Sequence, residues 1–159
     1  MSQSYIRSIK KLPIKMKWIC KNYNELSTIE LYEILKIRQE VFIIEQNCNY
    51  LDADGYDKQS KHLYALQHNQ IIAYMRIVNA GVIYDYVSFG RVLVHVGYRK
   101  QGIGKKIIKK GLNLFPKNEI IVMSAQVYLK EFYRDFGFVC VGQEYLEDDI
   151  VHVKMVRNG

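Results

Sequence analysis

The chain has 159 residues, 49% hydrophobic and 25% charged, which is typical of one globular domain with a sizeable core. Its net charge is +7, but four of these charges lie within residues 1–15. Much of the remaining excess lies on one later helix, which argues against a nucleic-acid partner. No apolar run approaches the roughly 18 residues of a membrane-spanning helix, so we expect no membrane partner either.

The cysteines and the first residues bear on location and domain organisation. Cys20, Cys48 and Cys140 are far apart and form no Cys-x-x-Cys pair. They favour reduced thiols in a cytoplasmic protein over a disulfide framework or a zinc site. Residues 1–15 lack the apolar centre of a secretory signal, so we predict a disordered leader or tag remnant there. A single domain is then expected over residues 16–159.

The first predicted helix spans residues 28–41. Ser27 and Glu30 form a capping-box pattern before it, and apolar residues follow at helical spacing. A polar, acidic loop is expected over residues 45–61. Two strands, 63–67 and 71–78, then form a hairpin across a polar turn.

The second half of the chain alternates strands with helices. A strand is predicted over residues 87–94, with Gly90 as a candidate bulge. A helix over 104–114 leads to a buried, parallel strand over 120–124. A helix over 129–135, closed by Gly137, precedes a final hairpin of residues 138–141 and 150–156. Because helices connect some of these strands, the sheet should be mixed, with parallel strands in its middle.

A phosphate-binding junction is predicted where the strand ending at Val94 leads into the next helix. Residues 99–105 form a short basic loop with two glycines. Backbone N–H groups, the positive end of the helix dipole and Lys105 would converge on one point. Gly102 and Gly104 leave no side chain between the backbone and a ligand. Taken alone, this motif leaves the ligand open, and an ordinary helix start without a ligand is the alternative.

Two motifs resemble the GCN5-related N-acetyltransferase (GNAT) superfamily. One is Arg99-x-x-Gly102-x-Gly104, and the other is Phe132-Tyr133-x-x-Phe136-Gly137-Phe138. The resemblance covers residues 17–156. Within the superfamily, the chain resembles the ElaA-like branch most specifically, and the matching segment is Arg38-x-x-Val41-Phe42-x-x-Glu45-Gln46-x-Cys48-x-Tyr50-x-Asp52-x-Asp54. It implies an α/β GNAT fold, in which a central, mostly antiparallel mixed sheet is flanked by helices.

The resemblance also implies an activity. The protein would be an N-acetyltransferase that moves the acetyl group of acetyl-CoA directly to a primary amine of a small molecule or a protein. Acetyl-CoA would be the co-substrate in a ternary complex, and no metal would be needed. The alternative is a non-catalytic acyl-CoA-binding or sensor module. The acceptor stays open, and so does the oligomeric state, for which a homodimer is one option.

The resemblance assigns a set of residues to the co-substrate. Backbone amides of the loop would hold the pyrophosphate, and the Leu93 and Val94 backbone would bind the pantetheine arm as a pseudo-strand. The Val94 N–H is also a candidate donor to the thioester carbonyl. The full set is Leu93, Val94, Arg99, Lys100, Gln101, Gly102, Ile103, Gly104, Lys105, Gln126 and Phe132.

Three residues are candidates for proton transfer. The leaving thiolate needs an acid, and the resemblance assigns that role to Tyr133. The protonated amine needs a base, for which Glu45 and His62 are candidates. The alternatives are a salt bridge from Glu45 to Arg38 and a hydrogen-bonded structural histidine.

Four residues are candidates for binding the acceptor: Tyr50, Asp52, Asp54 and His152. The aspartates would attract a cationic acceptor such as a polyamine, an aminoglycoside or a lysine. The alternative is an acidic turn with Gly55 at a positive φ. A calcium loop does not fit, because the twelfth position counted from Asp52 is Leu63, which has no oxygen ligand in its side chain.

Overall fold

The computed structural model describes residues 15–159, so the predicted leader lies outside the described residues except for Lys15. Its centre is one seven-stranded sheet in the order β1-β2-β3-β4-β5-β7-β6. The strands are β1 (Lys17–Asn22), β2 (Ser60–Gln67), β3 (Gln70–Val78), β4 (Val87–Val94), β5 (Ile121–Gln126), β6 (Val139–Glu147) and β7 (Ile150–Arg157). The helices are α1 (Thr28–Arg38), α2 (Ile103–Leu112) and α3 (Lys130–Arg134).

The sheet is mixed, as predicted. β4 and β5 pair in parallel, and the neighbouring pairs on both sides are antiparallel. The connection through α2 joins the neighbouring strands β4 and β5. The connection through α3 leads from β5 to β6 at the far edge of the sheet, and β7 lies between β5 and β6. The sequence analysis missed β1, because this edge strand has only three consecutive apolar residues, Trp18-Ile19-Cys20, and no fully buried position.

The predicted first helix divides into two kinds of helix. The capping box is present, with the Glu30 N–H donating to Ser27 Oγ at 3.2 Å and the Ser27 N–H to Glu30 Oε2 at 2.8 Å. The α-helix ends at Arg38, and a π-helical segment follows over Gln39–Glu45. Such wider turns often lie at functional sites, and this one carries Glu45 to the cavity described below.

Glycines explain two further differences from the sequence prediction. The register between β3 and β4 shifts after Gly90, and Arg91 adopts a φ of 52°. The bulge therefore lies one residue beyond the glycine that predicted it. β6 continues to Glu147, past an irregularity that includes Gly142 at a φ of 80°. Because Gly142 interrupts the strand pattern, the sequence analysis ended the predicted strand at residue 141.

Helices cover both faces of the sheet. On one face, the side chains of Ile103, Ile107 and Ile108 from α2 are buried in a cluster that includes Met75 of β3. On the other face, α1 packs into a second cluster that includes Tyr74, the neighbour of Met75 in the same strand. Successive strand residues point to opposite faces, so β3 is buried on both sides. No helix of residues 15–159 is long and apolar enough to span a bilayer.

A buried ion cluster joins α1 to the loop before β2. Arg38 is 0% exposed, and its Nε and Nη1 lie 2.7 Å from Asp52 Oδ2 and 2.6 Å from Asp57 Oδ1. Burial opposes the ionisation of Asp57, but the hydrogen bond and charge of Arg38 bring its pKa below the usual value. Removing the arginine would leave two buried carboxylates without this partner.

We therefore expect Arg38→Leu to lower the free energy of unfolding by about 3–5 kcal/mol. The matched control is Arg134→Leu, because Arg134 forms an exposed ion pair with Glu131 and should contribute less than about 1 kcal/mol. Urea unfolding followed by circular dichroism measures both. Equal losses in the two variants would contradict the structural role of Arg38.

Candidate active site

The central cavity opens where β4 and β5 separate. The two strands share only the pairs Val87↔Ile121 and Ser88↔Val122. Beyond them, residues 90–94 of β4 and 123–126 of β5 line a cavity of about 790 Å³. This volume is within the range of sites that bind cofactors and substrates.

One end of the cavity is formed by the loop and the first turn of α2. Gly102 is the N-cap of α2 at a φ of 74°, a left-handed conformation that favours glycine. A Cβ on Gly104 would lie 3.6 Å from the Phe132 ring, so the helix start and the Phe132-Tyr133 motif are in contact. The first N–H groups of a helix have no partner within the helix and attract anions.

The structure brings most of the predicted co-substrate residues to this cavity. Lys105 lines it and lies 3.3 Å from the exposed Asp135 carboxylate, a weak partner that a phosphate can displace. Gln126 reaches it from β5 and donates to Gln46 Oε1 at 3.2 Å. Gln101 does not line the cavity, and the members that do are Leu93, Val94, Arg99, Lys100, Gly102, Ile103, Gly104, Lys105, Gln126 and Phe132.

Glu45 and Arg99 form an ion pair at the cavity. Arg99 Nη1 and Nη2 lie 2.5 and 2.8 Å from the two Glu45 oxygens, and Arg99 Nε donates to the Val94 carbonyl at 2.9 Å. The hydrogen bond from Arg99 lowers the pKa of Glu45. The sequence analysis named Arg38 as the alternative partner, and the structure shows Arg99 instead. A carboxylate held in this way is a poor base at neutral pH.

Tyr133 lies at the bottom of the cavity, on α3. It is 5% exposed, and burial raises the pKa of its phenol above the usual value. The ring packs edge to face with Phe132 and Phe138. The phenol therefore stays protonated at neutral pH, as a general acid requires.

His62 does not reach the cavity. It is 0% exposed in β2, and its two ring nitrogens lie 2.8 Å from the Tyr74 hydroxyl and 3.0 Å from the Asp57 carbonyl. Burial lowers its pKa. The prediction of His62 as a base is corrected here: both nitrogens are engaged in the core, so this histidine has the structural role named as the alternative.

The acidic turn does not present free negative charge. Asp52 is 5% exposed, is not part of the cavity wall, and pairs with Arg38 and Arg91. Asp54 lines the cavity but is bound through both oxygens by Arg76, at 2.6 and 2.7 Å. The turn itself has the predicted form, with Gly55 at a φ of 89°. Asp52 and Asp54 are thus held by arginines, which corrects their prediction as attractors of a cationic acceptor.

The other two predicted acceptor residues do line the cavity. Burial raises the pKa of Tyr50 to about 12, although the nearby Arg91 works in the opposite direction. The Arg91 guanidinium lies 5.6 Å from the centre of the Tyr50 ring. His152 lies in β7 with its ring stacked on Tyr145, and its Nδ1 is 2.8 Å from the Ile150 carbonyl.

The polar residues of the cavity wall that the sequence analysis assigned to no role include Arg76, Arg91, Ser124 and Glu147. A signal was available for the first, because an arginine within the apolar strand Ile71-Ile72-Ala73-Tyr74-Met75-Arg76-Ile77-Val78 must find a buried partner. No local signal marks Glu147, since nothing in β6 shows which of its acidic side chains faces the cavity. Residues 15–159 contain no group of three or more metal-ligating side chains.

Comparisons with known proteins agree with this architecture. The family model described as "Acetyltransferase (GNAT) domain" matches residues 35–158. The chain is 41% identical to the UPF0039 protein sll0451 of Synechocystis, with 90% of this chain and 96% of that protein covered. It is 33% identical to protein ElaA of Escherichia coli, with 89% and 96% covered.

Solved structures show the same fold. An acyl-CoA N-acyltransferase from Pseudomonas aeruginosa superimposes with a TM-score of 0.84 at 36% identity, over 89% of this chain and 99% of that one. Escherichia coli ElaA also gives 0.84, at 32% identity, over 91% and 100%. The matched domain, the relatives above 30% identity and the shared fold place this chain in the GNAT superfamily of acyltransferases, in its ElaA-like branch.

Proposed function

We propose that this protein is an N-acetyltransferase that moves the acetyl group of acetyl-CoA directly to a primary amine of a small molecule or a protein. The observation that carries the proposal is one continuous cavity, which joins a glycine-lined helix start to the buried Tyr133. The cysteine pattern supports a cytoplasmic location, because three separate thiols suit a reducing compartment.

The helix start holds the phosphates in this proposal. The residues at the first turn of α2, together with Lys105 and Arg99, line the cavity. In the structure, the Arg99 guanidinium is already bound by both oxygens of the Glu45 carboxylate. A phosphate would compete with this carboxylate for the guanidinium.

In this proposal, the part of β4 that has separated from β5 binds the pantetheine arm of acetyl-CoA. Beyond Ser88, β4 has no β5 residue in register, and Leu93 and Val94 line the cavity there. Acetyl-CoA supplies an activated thioester, and the Val94 N–H is the proposed donor to its carbonyl oxygen. Tyr133 protonates the leaving thiolate. The acceptor ammonium loses its proton to solvent water before the amine attacks the thioester. Neither Glu45 nor His62 is part of the proposal as a base, because both are engaged by other groups.

The direct test is a thiol-release screen. Purified protein, acetyl-CoA and a panel of polyamines, aminoglycosides, amino-acid amides and lysine peptides are monitored for free CoA. Acceptor-dependent release with a matching acetylated product supports the proposal. CoA binding without turnover of any amine would favour the sensor module instead.

Gly104→Glu should weaken CoA binding by roughly a hundredfold or more, because a carboxylate would then face the phosphates at short range. Gly104→Gln is the matched control: it has nearly the same size without the charge, and should lose less. Calorimetric titration with CoA measures both. Unchanged affinity in the glutamate variant would contradict a phosphate site at this helix start.

Tyr133→Phe should lower kcat by about a hundredfold, because the leaving thiolate loses its acid. The affinity for CoA should not change, since the ring packing is kept. Steady-state thiol release and a CoA titration separate the two effects. If kcat keeps its wild-type value, Tyr133 is a packing residue and another group supplies the proton.

A further inference from the structure

The carboxylates of the cavity wall fall into two groups. Glu45 is paired with Arg99, and Asp54 with Arg76 and Arg91. Glu147 and Asp148 also line the cavity, at the β6–β7 turn. No basic side chain within residues 15–159 lies at salt-bridge distance from either of them. The negative charge available to a ligand is therefore at this turn and not in the acidic loop.

Glu147 is exposed, and its carboxylate is hydrogen-bonded to a chain of hydroxyl groups. Ser124 Oγ of β5 donates to Glu147 Oε2 at 2.8 Å. The Tyr145 hydroxyl lies 2.5 Å from the same Ser124 oxygen, and can donate to it. This leaves one carboxylate oxygen, Oε1, for a ligand. Asp148 has no comparable support, and its backbone lies in a turn at a φ of 50°.

Aromatic side chains of the cavity wall lie on the same side of the cavity as this carboxylate. Tyr145 stacks on His152, with the ring centres 6.2 Å apart and the planes at 21°. Tyr84 lies on the same cavity wall; burial raises its pKa, and the nearby charge of Glu147 contributes in the same direction. Lys154 places its ammonium 5.1 Å from the centre of the Tyr84 ring and forms no salt bridge among residues 15–159. An oriented anion beside aromatic faces suits a cation on an apolar or aromatic arm.

We propose that Glu147 binds the ammonium group of the acceptor and makes the protein selective for cationic primary amines on an apolar or aromatic arm. This inference rests on the proposed function, since it identifies the acceptor end of the same cavity. Ser124 and Tyr145 are positioning residues for the carboxylate. The aspartates of residues 52–57 hold the fold and do not contact the acceptor.

The test measures amine binding and CoA binding separately. Phenethylamine, tyramine, hexylamine and spermidine are titrated into the protein, with and without saturating CoA. Phenethyl alcohol and 1-hexanol serve as uncharged counterparts. Phenethylamine or hexylamine should bind, and its uncharged counterpart should bind at least about tenfold more weakly, because the ion pair is lost. Binding of neither of these two amines, or equal binding of the uncharged counterpart, overturns the proposal.

The variants assign the effect to one side chain. Glu147→Gln should weaken amine binding by about tenfold to a hundredfold and leave CoA affinity unchanged. Glu144→Gln removes the same charge from the same strand at a position outside the cavity, and should have no effect. Glu147→Asp keeps the charge and should restore part of the affinity. Equal amine affinities in wild type and Glu147→Gln overturn the proposal.

The two proposals fail in different ways. If the wild type binds CoA and releases thiol, but Glu147→Gln binds and turns over amines normally, the acceptor proposal fails and the acetyltransferase proposal stands. If the wild type binds amines through Glu147 but neither binds CoA nor releases thiol, the acetyltransferase proposal fails and the cation site stands.

Discussion

The separation of β4 from β5 is the constraint on which the rest of the site depends. The strands pair in parallel over two residue pairs and then diverge, which opens the cavity within the sheet. The bulge at Arg91 twists β4 just beyond the last pair. Because the α2 crossover starts at the end of β4, the helix N-terminus reaches the same opening. The helix start and Tyr133 thus share one cavity.

The buried arginines decide where charge is available. Arg38, Arg76 and Arg91 engage Asp52, Asp54 and Asp57, so a loop that looks strongly acidic in sequence is neutralised within the fold. Desolvated carboxylates need such partners, and each arginine comes from a different element. This arrangement ties the loop to α1, β3 and β4 and supports the cavity wall. It also leaves the β6–β7 turn as the anionic end of the cavity.

Much of the architecture was predictable from local pattern. The capping box, the apolar strands β3 and β4, and the basic glycine loop each carry a signal within a few residues. The prediction failed where the signal is non-local. β1 is recognisable only by its pairing with β2, and β6 continues through a glycine because β7 lies beside it. His62 has a suitable intrinsic pKa, but only the packing of β2 shows that it is buried.

By itself, the sequence determined the fold class, the family and the helix start at Gly102 and Gly104, because these rest on periodicity and on contiguous motifs. Only the tertiary structure decided the partners of the charged side chains. Arg99 meets Glu45, Arg38 meets Asp52, and Glu147 meets Ser124, across 54, 14 and 23 positions of the chain. The physical reason is that the energy of a charge depends on its burial and its neighbours in space, which residue spacing does not encode.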